Sequence, residues 1–181
     1  MNRIAPLLLI FTTFIGFAQE EPFLKNEIRI NALNLMMFKS LDLTYERALN
    51  DESSIGVNTM FSLDGSSRFD KDGPYYYEGF TLTPYYRIYF GKKDNAGFFA
   101  EGFVMLASGK YDHYYYDSIG EYDYEFHDFT DLAIGFSVGA KFLSKRNFVG
   151  NIHAGVGRYF IEDEFAPSVV GRFSISFGWR F

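Results

Sequence analysis

The residues best placed to do chemistry are seven charged side chains, Arg29, Asp42, Glu46, Arg87, Glu101, Lys141 and Arg172. Each falls in the polar phase of a two-residue alternation, so each points to the face opposite a row of apolar neighbours. Both signs of charge on one enclosed face demand partners or water, because an isolated buried charge is costly. The reading adopted is a structural network that fills an interior; the sharper alternative is an ion gate or proton path. Of the three histidines, His153 lies in Asn151-Ile152-His153-Ala154-Gly155, with no serine two residues along the same face to act as nucleophile. His113 and His127 fall in an acidic, aromatic stretch whose spacing matches no metal site, and Asp123-Tyr124-Glu125 does not fit a calcium loop. No catalytic residue, metal ligand or cofactor is therefore assigned, and a non-enzymatic protein is expected.

The stretch Lys110 to Asp128 is the most unusual in the chain, with six tyrosines and six acids. Tyr114, Tyr115, Tyr116, Tyr122 and Tyr124 are the candidate ligand-binding residues. Tyrosine offers a large contact area at low entropic cost, which suits an extracellular glycan or protein partner. The bland reading is that these tyrosines merely continue and solvate the flanking strands. Tyr75-Tyr76-Tyr77 and Glu162-Asp163-Glu164 would extend the same acidic, tyrosine-lined rim.

Several constraints bear on the elements that must position these groups. Residues 1–18 pair Arg3 with an apolar run from Ile4 to Phe17 and a small Ala18, the pattern of a cleaved signal peptide, leaving residues 19–181 as one domain. The later chain has no apolar run long enough for a spanning helix, so any membrane crossing must use a closed barrel. Cysteine is absent, which removes disulfides and thiolate sites. The net charge of −6 argues against a nucleic-acid partner, with Lys92-Lys93 and Lys145-Arg146 on expected tight turns.

Period-two alternation recurs in eight segments. It is clearest at the end, where Gly171, Phe173, Ile175, Phe177, Trp179 and Phe181 alternate with Arg172, Ser174, Ser176, Gly178 and Arg180. The others lie near 27–35, where the phase slips at Leu33 as if at a bulge, and at 41–46, 55–63, 80–90, 98–106, 132–142 and 148–157. Connections near 50–51, 92–95 and 144–147 are short, those near 64–74 and 110–128 are long, and the first and seventh are short for outer loops, so the alternation of outer-membrane barrels is present but incomplete. Outward Tyr45, Phe90, Phe98, Phe142, Phe148, Trp179 and Phe181 would form an aromatic girdle beside the short turns. The expected fold is all-β, an eight-stranded antiparallel up-and-down transmembrane β-barrel in contact with outer-membrane lipid. A soluble barrel of the calycin type would need the apolar faces inward, leaving Arg87, Glu101, Lys141 and Arg172 outside.

The terminal pattern from Gly171 to Phe181 resembles the C-terminal signal that hands outer-membrane barrels to their insertion machinery. The chain is similar to small barrels of the OmpA and OmpX type, and Thr83-Pro84-Tyr85-Tyr86-Arg87-Ile88-Tyr89-Phe90 resembles a segment of a family of short outer-membrane barrels. The resemblance implies residence in the outer membrane and the insertion machinery as a partner. It does not extend to the His-x-Ser pattern of lipid A deacylases. Three functional classes follow in order: an envelope-structural barrel, a surface recognition or adhesion module, and a lipid-modifying enzyme.

Overall fold

The computed structural model describes residues 25–63, 78–93, 95–116, 122–160 and 168–181, with 92–93, 111–116 and 122–127 described by their backbone. The expected signal peptide, Tyr75 to Tyr77 and Glu162 to Glu164 lie outside these residues.

Eight strands among the described residues pair antiparallel in sequence order and close into a barrel. They are β1 (Asn26–Asn31), β2 (Ser40–Asn50), β3 (Ser53–Ser62), β4 (Glu78–Lys93), β5 (Ala96–Tyr116), β6 (Tyr122–Leu143), β7 (Phe148–Tyr159) and β8 (Val169–Arg180). The seam joins β1 to β8 from Glu27 opposite Arg180 to Asn31 opposite Ser176. Asn26 and Phe181 finish it by exchanging backbone hydrogen bonds of 3.0 and 2.7 Å. Gly178 makes this closure possible, since a Cβ there would lie 1.8 Å from the Ile28 carbonyl oxygen.

The tight turns follow from local chemistry. Asn50 accepts hydrogen bonds from the Glu52 amide and the Ser53 hydroxyl, each at 3.0 Å, and so closes the β2–β3 turn. Asn147 takes a left-handed φ of 62° after β6, a conformation asparagine tolerates better than most residues, while the Ser144 hydroxyl accepts from the Arg146 and Phe148 amides.

The alternation sorts side chains as expected. On β8, Phe173, Phe177 and Trp179 face outward while Ser174, Ser176 and Arg180 are buried. The girdle residues are all exposed, Phe90 at 64% and Phe98 at 73%. The apolar faces are thus on the outside of the barrel, the reverse of what a calycin-type arrangement requires. Inner-face glycines give the interior its room: a Cβ at Gly135 or Gly139 would meet the ring tip of Phe103 or Phe99 at 2.4 or 2.6 Å.

One expectation is corrected. The first strand does not run to Leu35 with a bulge. It ends at Asn31, and Ala32–Met37 form a short helix, α1. The Asn31 side chain caps it by accepting from the Leu33 and Asn34 amides, and Ala-Leu-Asn-Leu-Met-Met supplies mostly strong helix formers. The phase slip at Leu33 is this change of period.

The plainer reading of 110–128, that its tyrosines continue the flanking strands, holds for the described residues, 110–116 and 122–128, which belong to β5 and β6. β5 and β6 stay paired from Gly97 opposite Lys141 out to Tyr116 opposite Tyr122. Among the described residues β4 accompanies β5 as far as Gly109, and β7 accompanies β6 as far as Ala133, with the Phe160 amide bonded to the Leu132 carbonyl at 2.9 Å. Past those points the two strands continue as a ribbon standing beyond the rim on the side opposite the short turns.

Candidate functional site

The interior of the barrel gathers the charges singled out by the alternation. β1 contributes Glu27 and Arg29, β2 contributes Glu46, β4 contributes Tyr85, Arg87 and Tyr89, and β5 contributes Glu101. Lys141 comes from β6, and Arg172 and Arg180 from β8. All except the half-buried Arg172 are buried, a state charges tolerate only when paired.

Glu46 is the hub. Its carboxylate accepts from Arg29 Nη2 at 2.7 Å, Arg87 Nη1 at 3.0 Å and the Lys141 ammonium. The hydroxyls of Tyr85, Tyr89 and Ser54 donate to the same group at 2.7, 2.6 and 2.8 Å. Three cations and three hydroxyls on one carboxylate leave it with every lone pair engaged, which repays much of the desolvation that burial costs.

From this hub the pairing runs both ways along the lumen. Toward the short-turn end, Arg29 and Lys141 also contact Glu27, at 2.5 and 2.9 Å, and Glu27 in turn receives Arg180 at 2.5 Å. Toward the ribbon end, Arg87 meets Glu101 at 2.6 Å, and Glu101 receives Arg172 at 2.8 Å. Arg87 Nη1 also donates to Asn151 of β7 at 3.2 Å. With Ser54 from β3, all eight strands supply a side chain to one connected network.

Aromatic rings pack this network laterally. The Arg87 guanidinium sits 3.7 Å from the Phe99 ring centre, Arg172 lies 4.5 Å from that of Phe103, and Lys141 is 4.8 Å from that of Tyr89. Such cation–π contacts add most where water is excluded.

Asp42 stands apart from the cations. It accepts from three amides, Asn31 at 2.9 Å, Asn34 of α1 at 2.7 Å and Asn58. A cavity of about 20 Å³, room for about one water, lies beside it, bordered by Thr83, His153 and Arg172 among others. α1 therefore folds one side chain into the lumen and ties the start of the barrel to β2.

His153 Nδ1 pairs with Asn151 Nδ2 at 3.1 Å. Ser174 is opposite His153 in register, yet no hydrogen bond joins them, so the nucleophile–base contact needed for acyl transfer is not made. Among the described residues no three His, Asp or Glu side chains gather as a metal would require.

The seven charged residues expected inside are all found inside. Reasoning from sequence missed Glu27 and Arg180 as members, although both fall in the inward phase of their strands, and it missed the tyrosine hydroxyls on Glu46. The five candidate tyrosines lie elsewhere, on the ribbon, where register sets Tyr114 opposite Tyr124, Tyr116 opposite Tyr122 and Tyr115 opposite Asp123. Their side chains, with His113 and His127, lie outside the described residues.

No family model, curated protein or solved structure matches the chain. The lumen network and the outer wall are therefore the ground on which function is argued.

Proposed function

We propose that this is an outer-membrane barrel of the small OmpA and OmpX kind, exported by a cleaved signal peptide, with an envelope-structural and non-enzymatic role. The observation that carries the reading is the inverted distribution of polarity. Apolar side chains cover the outside of the wall, while the charges meet within. In water such a wall would expose far more contiguous apolar surface than soluble monomers carry; in lipid it is the favourable face. An eight-stranded interior is about wide enough for side chains alone, and here those side chains are bonded across it, which supports a rigid filled cylinder over a channel.

The ribbon favours a second reading, recognition of an extracellular glycan or protein by Tyr114, Tyr115, Tyr116, Tyr122 and Tyr124. Its paired strands run past the lumen network, a position from which a partner is reached without disturbing the lumen.

Replacing 110–128 with a short Gly/Ser turn separates the two. The barrel is expected to fold, because its network and seam do not involve that segment. In a deletion strain the shortened protein should restore resistance to detergent and bile salts as fully as the parent. Restoration by the parent alone, together with loss of adhesion to host glycans or protein, would transfer the function to the ribbon.

A further inference from the structure

A cavity of about 690 Å³ opens on the outside of the wall across β2 to β6. Its lining is apolar apart from one end. Two rows of outward residues frame it: Arg47, Ile55, Tyr86 and Gly102 are successive partners across β2, β3, β4 and β5, with Val57 and Pro84 in the row beside them.

The hollow has identifiable causes. Gly102 has no side chain, and a Cβ built there would meet nothing within 4 Å. Pro84 stands in the middle of a paired strand, where proline is uncommon because it cannot donate to the ladder. Around these two small residues the larger Tyr86, Val104 and Ile134 rise as a rim.

One end of the hollow is charged. Arg47 points to the outer face, where it donates to Asn26 Oδ1 at 3.3 Å beside the Tyr45 hydroxyl, which donates to the same oxygen at 2.8 Å. Asn26 is neutral, and among the described residues no carboxylate pairs with Arg47. A fixed guanidinium without a counter-charge, set at the end of an apolar trough, matches a molecule with an anionic head and a hydrocarbon tail.

The trough also has the right slope. Arg47 lies three residues from the end of β2 at Asn50, whereas Gly102 lies six residues from the start of β5 at Ala96, and both of those ends are on the short-turn side. At about 3.3 Å per residue along strands tilted by roughly 40°, this three-residue difference lifts the trough by roughly 7 Å toward mid-barrel as it leaves Arg47. A phospholipid of the leaflet at the short-turn end has this orientation, with its phosphate at the interface and its chain rising into the bilayer.

We propose that this trough holds one acyl chain of an anionic phospholipid, with the phosphate on Arg47. The proposal rests on the outer-membrane reading given above. The test uses the full-length barrel purified in detergent and offered phosphatidylglycerol or diacylglycerol, which lacks the phosphate, with identical acyl chains, with retained lipid counted by native mass spectrometry. The parent should retain phosphatidylglycerol about tenfold better, as one charge-assisted hydrogen-bonding group gives. Arg47→Gln should remove that preference, and Gly102→Phe, which fills the trough, should reduce retention of both lipids. Equal retention of the two lipids by the parent, undiminished retention by Gly102→Phe, or a second copy of the chain on this face in place of lipid would overturn the proposal. Heat-modifiable mobility of each protein separates the causes: a soluble chain without it removes the membrane reading and the trough together, whereas a folded membrane barrel indifferent to lipid charge removes the trough alone.

Discussion

Glu46→Ala is expected to destabilise the barrel by on the order of 5 kcal/mol, the upper range for removing one partner of a buried ion pair. The effect should be that large because three cations, Arg29, Arg87 and Lys141, converge on this carboxylate and would face one another without it. Tyr85, Tyr89 and Ser54 would lose their acceptor at the same time. Ser54→Ala provides the contrast: it removes one neutral donor and should cost about 1 kcal/mol. Denaturant unfolding of both variants in lipid vesicles measures the difference. A loss below about 1 kcal/mol for Glu46→Ala would mean that water, not the carboxylate, compensates these cations.

Gly178→Val should be nearly as damaging for a different reason. A closed barrel depends on every seam, and at β1–β8 a Cβ on residue 178 would lie 1.8 Å from the Ile28 carbonyl oxygen and 2.7 Å from the Arg29 Cα. The obstruction is backbone that cannot rotate away, so the cost should exceed the roughly 1–3 kcal/mol of ordinary overpacking. Gly171 lies on the same strand with nothing within 4 Å of a built Cβ, so Gly171→Val should leave stability within about 0.5 kcal/mol. The two variants differ only in place. Similar thermal midpoints for both would contradict the seam geometry.

The strand plan was legible because one physical rule writes it: with one face toward each side of the wall, a slip of one residue inverts every side chain. That rule located all eight strands and predicted which charges are inside. It could not show that Glu46 is the hub, since the groups that meet across the lumen depend on how far each strand is staggered on its neighbours, and alternation carries no record of stagger. Both Arg87 and Arg172 pair with Glu101, while Asp42 goes to the amides of Asn31, Asn34 and Asn58.

α1 was hidden by its length. Six residues give less than two turns, and the signal that identifies it is the cap at Asn31 followed by helix formers, not any periodicity. The ribbon was legible in part. Composition left open a recognition loop or a continuation of the strands, and Tyr111 to Tyr116 and Tyr122 to His127 pair residue for residue as the strands below them do.

The outer-membrane reading requires that the apolar outer wall face lipid. The most direct measurement is to express the full chain in a Gram-negative host, separate periplasm, inner membrane and outer membrane, and run each fraction on a denaturing gel with and without boiling. The inverted polarity of the wall predicts a chain confined to the outer-membrane fraction whose unboiled band shifts on heating, as a closed barrel that resists detergent does. Recovery of the chain in the soluble periplasmic fraction, with one band unchanged by boiling, would contradict it.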